Sequence, residues 1–236
     1  MKKNILKIFV VLLGVLLFCR CSSVETLKSG DVEQRLIFPQ YFIKYNSLDS
    51  SFEASARFNL NNAVGTAVRL SGASNVSFNG TPLKGEVDKS EQTYQYVFRS
   101  GGAMPKSFSF VYLNNDNQEF LNDITMNPFE VKVKSLSISK TSDTQIEYIG
   151  KPLADNETLE IVLTQDGTDV NYGFPCYQSS ESVHKILVLS EDIDAPAGEY
   201  VLQFVRRSSS SEIRAAERGG IWETEYLSKT MKVTLY

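Results

Sequence analysis

The feature of this sequence that most constrains its fold is a strict alternation of apolar and polar residues in short segments. The clearest case is SFEASARFNL at residues 51–60, where Phe52, Ala54, Ala56 and Phe58 alternate with polar residues. Successive side chains of a strand point to opposite faces, so this pattern predicts a strand with one buried face. Similar runs recur along the chain and are separated by Gly, Pro, Asn and Asp. We therefore predict an all-β fold.

Two connections between predicted strands carry specific turn signals. Asn79-Gly80 predicts a tight turn in which both residues take positive φ. The segment NNDNQ at residues 114–118 predicts the loop of a hairpin between KSFSFVYL and QEFLNDITM. Strands that follow one another at intervals of about 8–12 residues are typical of β-sandwiches.

The length of 236 residues allows either one large domain or two domains of roughly 100 residues each. The two halves share a short echo, NGTPLKGEV in the first and IGKPLADNE in the second. This echo and the equal lengths of the halves favour two related sandwich domains, at residues 33–134 and 135–236. The polar segment at residues 21–32 is predicted to be a flexible tether.

The N-terminus has the layout of an export signal. Lys2, Lys3 and Lys7 precede an uninterrupted apolar run from Ile8 to Phe18. That run is too short for a membrane-spanning helix, which needs about 20 apolar residues. Residues 1–20 are therefore predicted to be a signal peptide.

Two cysteines follow the apolar run in LLFCRCSS. A cysteine at this place, followed by Ser22 and Ser23, resembles a bacterial lipoprotein signal, in which the cysteine is acylated through its sulfur and becomes the first residue of the mature chain. The sequence departs from that family in one respect, because a bulky residue rather than a small one precedes either cysteine. We favour Cys21 as the lipid attachment site, with Cys19 as the alternative.

The signal and the rhythm of strands together resemble Bacteroidetes-type lipoproteins with tandem immunoglobulin-like domains. The resemblance implies two consecutive immunoglobulin-like β-sandwich domains after the signal peptide. It also implies a place in the cell envelope, with N-terminal acyl chains in a membrane and the protein at the outer membrane, the surface or the periplasmic face. The Cys…Trp…Cys spacing of antibody-type domains is absent from the sequence.

Charge and residue counts exclude several functions. Removal of residues 1–20, which contain four basic residues and no acidic one, changes the formal net charge from −4 to −8. Nucleic acid is therefore not expected as a partner, since phosphate binding draws on clustered Lys and Arg. Cys176 would have no disulfide partner if Cys21 is lipidated, and we predict that it is a buried apolar residue.

No catalytic motif is found, and we predict that the protein is not an enzyme. A thiol or serine nucleophile would have to recruit His184, the only histidine, which stands at the start of a predicted strand. Acidic and amide clusters at residues 114–119, 166–169 and 191–194 do not match a calcium-binding loop and are typical of turns. We predict no metal site and no cofactor.

Binding is the function class that the sequence favours. Two stretches that are predicted to be loops concentrate aromatic residues beside polar ones, NYGFPCYQ and GGIWETEY. Their candidate ligand-binding residues are Tyr172, Phe174, Tyr177, Trp222 and Tyr226. Such residues could stack on sugar rings or anchor a protein partner, or Phe174 and Trp222 could simply fill the ends of the sandwich. The predicted partner is a protein or a glycan, and the alternative function is a carbohydrate-binding accessory of a polysaccharide-utilisation system.

Overall fold

The computed structural model describes residues 25–165, 171–180, 182 and 184–236, and this part of the chain is almost entirely β. Its first strands are β1 (Leu27–Lys28), β2 (Ile37–Asn46), β3 (Ser51–Leu60), β4 (Val68–Arg69), β5 (Asn75–Phe78), β6 (Thr81–Pro82), β7 (Lys84–Asp88), β8 (Thr93–Gly101), β9 (Phe108–Leu113) and β10 (Glu119–Ile124). The later strands are β11 (Ser135–Ile138), β12 (Thr144–Glu147), β13 (Glu157–Thr164), β14 (Asn171–Gln178), β15 (Lys185–Val188), β16 (Gly198–Ser210), β17 (Ile221–Leu227) and β18 (Met231–Leu235). Single 3₁₀ turns occupy Ser29–Asp31, Gln34–Leu36 and Ser190–Asp192.

The first half of the described chain forms two sheets that face each other. One contains β2, β3, β8 and β7 in that order, and the other contains β10, β9, β5 and β6. Aromatic rings fill the space between them: Tyr41 on β2 stacks on Phe110 on β9, with ring centroids 4.6 Å apart. Phe58 on β3 lies at the same centroid distance from Tyr112. The alternating segment thus forms a strand whose apolar residues are buried, which confirms the prediction of an all-β, sandwich-like fold.

The second half is built on the long strand β16. One edge of β16 pairs with β13, which continues through β14 and β15 to β12. The other edge is shared, because β18 pairs with Gly198–Leu202 and β17 pairs with residues 205–210. β11 adds to β18 in parallel. Ile161, Phe174 and Phe204 lie in the core of this half.

The two halves are joined by backbone hydrogen bonding. β17 runs parallel to β2 over seven residue pairs, from Ile221 opposite Gln40 to Leu227 opposite Asn46. One sheet therefore continues from β12 at one edge to β7 at the other. The predicted boundary at residues 134 and 135 lies directly before β11, yet β17 from the second half extends a sheet of the first.

Both turn predictions are confirmed. Asn79 and Gly80 have φ values of 46° and 79°, so both central residues of the turn between β5 and β6 are left-handed. The segment NNDNQ closes the hairpin of β9 and β10, and the buried Asn114 side chain accepts hydrogen bonds from the backbone N–H groups of Asp116 and Gln118 at 2.9 Å. The Asn114 amide therefore has a structural role in the turn.

The predicted tether is wrong over its second part. Leu27–Lys28 pair with β4, and Ser29 is fully buried. The Ser29 backbone carbonyl accepts a 2.6 Å hydrogen bond from Gln34, and its hydroxyl accepts one from Asn115 at 3.1 Å. Residues 21–24, with the predicted lipid attachment at Cys21 or Cys19 and the predicted signal peptide, lie outside the described residues. Among the described residues, no helix has the length and apolarity needed to cross a membrane.

Candidate functional site

The two aromatic stretches are strands β14 and β17, so the prediction that they are loops was wrong. On β14 the alternation of the strand divides the candidate residues between two faces. Phe174 is buried in the core, and Tyr172 is half-buried against Tyr200, edge to face at 6.0 Å. Tyr177 is exposed on the opposite face. Cys176 is buried, as predicted, and burial raises the pKa of its thiol far above the ordinary value.

The aromatic residues of β17 face the first half of the chain. Trp222 stands opposite Tyr41 and Tyr226 opposite Tyr45 in the parallel pairing. Tyr226 is buried and stacks on Tyr45 with centroids 5.9 Å apart, while Trp222 is half-buried against the core. β13 and β16 separate β17 from β14, so the structure does not bring the five candidate residues onto one surface.

A concave surface lies elsewhere, on the outer face of the continuous sheet where the two halves meet. It is a groove of about 740 Å³ whose lining side chains come from β13, β16, β17, β2, β3, β8 and β7. Neighbouring strands are about 4.8 Å apart, so seven strands give the groove a length of about 29 Å across the sheet. Phe42 and Ser55 form part of its floor.

A row of charged residues of alternating sign crosses the sheet and passes through this groove, which its four central members line, and we name it the charge ladder. In spatial order it consists of Glu160, Arg207, Glu225, Lys44, Glu53, Arg99 and Glu86. Each member lies on a different strand from its neighbours, and the order follows the order of the strands in the sheet. The ladder therefore crosses from one half of the protein to the other.

In the second half the ladder is a chain of ion pairs. Arg207 contacts Glu160 through Nη1 at 2.5 Å and Glu225 through Nε at 2.9 Å. The other oxygen of Glu225 contacts Lys44 Nζ at 2.7 Å, and this contact crosses the parallel pairing of β17 and β2. Burial alone would raise the pKa of Glu225, but Lys44 and Arg207 outweigh it and lower the pKa.

In the first half the ladder continues in register. Lys44 stands directly opposite Glu53, and Glu53 directly opposite Arg99. Arg99 Nε contacts Glu53 at 2.6 Å, and its Nη2 contacts Glu86 at 2.8 Å. The hydrogen bond from Arg99 lowers the pKa of Glu86.

Arg57 occupies one end of the groove. Its guanidinium lies over the Phe42 ring, 5.1 Å from the centroid, and pairs with Asp88 at 3.1 Å and with Glu91. The side chain is only 16% exposed. A hydrogen bond from Ser90 lowers the pKa of Asp88, with a further contribution from Arg57. Arg57 Nε is buried without a hydrogen-bond partner among the described residues.

Ser55 and Glu223 are among the polar residues of the groove whose side chains have no hydrogen bond or ion pair within the described part of the chain. Ser55 is 4% exposed and lies on the floor of the groove. Its hydroxyl makes no hydrogen bond to any described residue. Glu223 is exposed at the rim and forms no ion pair within the described part of the chain. The groove thus combines a fixed grid of charges with a free donor, a free acceptor and one aromatic ring.

No protein-family model matches this chain, and no curated protein matches it. The functional proposal therefore rests on the geometry and the charges of the groove. Two further acidic clusters stand in the sequence, at residues 166–169 and 191–194. Residues 191–192 belong to a 3₁₀ turn, and residues 166–169 lie outside the described ranges. His184 is exposed and lies edge-on to Tyr148.

The sequence interpretation missed the groove residues because they look ordinary along the chain. Arg57, Glu53 and Ser55 are the polar positions of the alternating strand, which are normally assigned to solvent. Their alternation with Lys44 and Glu225 becomes visible only once the register of β2 with β3 and β17 is known. The one available signal was that these outward positions carry charges of both signs.

Proposed function

We propose that the protein is a non-catalytic envelope or cell-surface lipoprotein that binds a protein or glycan partner, or assembles with one, through the groove. In this proposal Cys21, or alternatively Cys19, carries the acyl chains. The described residues form two consecutive immunoglobulin-like β-sandwich domains.

The order of the strands supports the immunoglobulin-like interpretation of both domains. Constant-type domains contain one sheet with the first, second, fifth and fourth strands, and another with the third, sixth and seventh. If β2, β3, β5, β7, β8, β9 and β10 are taken as these seven strands, the first half has that order. In the second half, β18, β16 and β13 correspond to the second sheet, and β12 and β15 to part of the first.

The groove is the observation that carries the binding function. It spans both halves, and its length suits an extended polymer or a ridge of a folded partner rather than a small molecule. The lowered pKa values of Glu225, Glu86 and Asp88 keep these carboxylates ionised at neutral pH. Ionised, cation-paired carboxylates are poor general acids, and they supply fixed charges that a partner of complementary charge can recognise.

The test is a pull-down from detergent-solubilised envelope with the Glu223→Lys variant. Glu223 lies at the rim and holds no ion pair in the described structure, so the substitution should leave the fold intact. We expect recovery of the partner to fall by about tenfold, as a misplaced charge in an interface would cause. Glu147→Lys makes the same charge change on β12, away from the groove, and serves as the control. Equal recovery with both variants would count against the groove.

The floor of the groove also favours the second candidate function, that of a carbohydrate-binding accessory. Phe42 offers a ring on which a sugar could stack if the Arg57 guanidinium moves aside, and Ser55 offers a hydroxyl. On a glycan array, this function predicts binding that Phe42→Ala removes. A positive pull-down with an empty array would favour a protein partner.

A further inference from the structure

The loop between β3 and β4 exposes an apolar side chain to solvent. Val64 is 93% exposed at its tip. The Ala63 carbonyl accepts hydrogen bonds from the side chains of Asn59 at 2.6 Å and Gln40 at 3.1 Å. Gly65 cannot be replaced without movement of the backbone, since an added Cβ would lie 1.8 Å from the Leu60 carbonyl oxygen. These contacts hold the backbone of the loop in one conformation, and that conformation places Val64 in solvent.

The N-terminal segment lies beside this loop. β1 runs parallel to β4, with Leu27 opposite Val68, and the Leu27 N–H donates to the Ala67 carbonyl at 2.9 Å. Because the strands are parallel, the residues before Leu27 lie alongside the residues before Val68, which are those of the loop. Glu25 and Val64 accordingly line the same surface depression, of about 450 Å³.

The length of chain before Glu25 limits how far this surface can stand from a lipid anchor. Glu25 lies four residues after Cys21, and a fully extended chain spans at most about 3.6 Å per residue, or about 14 Å in all. For Cys19, six residues before Glu25, the corresponding limit is about 22 Å. An acylated cysteine lies at the level of the lipid headgroups, so the loop is confined close to them.

We propose that the loop at residues 61–66 is the surface through which the anchored protein rests on the lipid bilayer, with Val64 in contact with it. This inference rests on the lipid attachment proposed above. Glu25 and Glu91 lie in the same depression, so attraction to anionic lipids does not drive the contact. One valine adds little apolar area, and the acyl chains supply the attachment while the loop sets the orientation.

The test uses the full-length lipidated protein in liposomes whose lipids carry bromine as a quencher. A fluorophore is attached in one variant at Val64→Cys and in the other at Leu48→Cys. Leu48 is also an exposed apolar turn residue, at the other end of the β2–β3 hairpin, about 30 Å away along ten-residue strands. Cys176 is buried and escapes labelling in the folded protein, and the N-terminal cysteine that is not acylated is changed to Ser.

We expect at least twofold stronger quenching at position 64 than at position 48. Equal quenching at both positions, stronger quenching at position 48, or none at either would overturn the proposed orientation. Mass spectrometry of the N-terminal peptide separates this failure from failure of the anchor. A peptide without acyl chains overturns the proposed lipidation and the orientation with it, whereas an acylated peptide with the wrong quenching overturns the orientation alone.

Discussion

At the scale of single residues, one ion pair differs from all the members of the charge ladder because it is buried. The Arg206 and Glu157 side chains are 2% and 3% exposed. Arg206 also donates to the carbonyls of Lys151 and Pro152 at 2.9 Å. Glu157 accepts from Asn127 at 2.8 Å, so the pair connects the segment between the halves to the core of the second.

We predict that Glu157→Gln lowers the free energy of unfolding by about 3 kcal/mol, because it leaves the Arg206 charge buried without a counter-ion. Glu160→Gln, which breaks the exposed pair with Arg207, should cost less than about 1 kcal/mol. Urea denaturation of both variants measures the difference. Similar losses in the two variants would mean that burial of the Arg206 pair has no energetic consequence.

The same pair predicts a dependence on pH. Burial raises the pKa of Glu157, but the hydrogen bond from Arg206 and its charge outweigh it, so the folded-state pKa is lowered. A lowered carboxyl pKa stabilises the fold above the unfolded pKa of about 4.3, and this contribution is lost as the pH falls. The difference in stability between wild type and Glu157→Gln should therefore shrink as the pH is lowered from 7 towards 3.

At the scale of secondary-structure elements, the strands that could be predicted are those with a buried and an exposed face. β3 and the hairpin of β9 and β10 have clear alternation or turn signals. β1 could not be predicted, because a strand of two residues is too short to show an alternation of apolar and polar residues. The burial of Ser29 also has no signal in the sequence. β14 and β17 were misassigned as loops because Gly173 and Pro175 in one, and Gly219-Gly220 before the other, are ordinary turn signals.

The N-terminal element gives a prediction that separates a tether from a folded segment. A chain that begins at Val32 loses Ser29 and leaves Gln34 and Asn115 without that hydrogen-bond partner. We expect it to be less stable by about 2 kcal/mol or more, since a buried polar group without a partner costs about 1–3 kcal/mol. A chain that begins at Thr26 keeps these contacts and should melt like a chain that begins at Cys21. Equal melting temperatures for both truncations would restore the tether interpretation.

At the scale of the whole molecule, the sequence predicts two similar halves, and backbone hydrogen bonds between β17 and β2 join these halves in one sheet. The echo between the halves does not mark equivalent places, because Gly80 lies in the turn between β5 and β6 whereas Gly150 lies between β12 and β13. The parallel pairing of β17 with β2 brings together Gln40 and Ile221, which are 181 positions apart in the sequence, and no local pattern encodes such a contact. The groove depends on that pairing, so it could not be derived from the sequence.

A sheet shared between the halves predicts that they unfold together. Phe110→Ala removes a fully buried ring from the core of the first half and should cost about 3–5 kcal/mol. If the parallel pairing couples the halves, hydrogen exchange of the slowest β13 amides should accelerate as much as that of β9 amides. Leu121→Ala, at an exposed position on β10, is the control and should change neither. Protection in β13 that survives Phe110→Ala would show two domains that unfold separately, and the charge ladder would then be a contact between independent units.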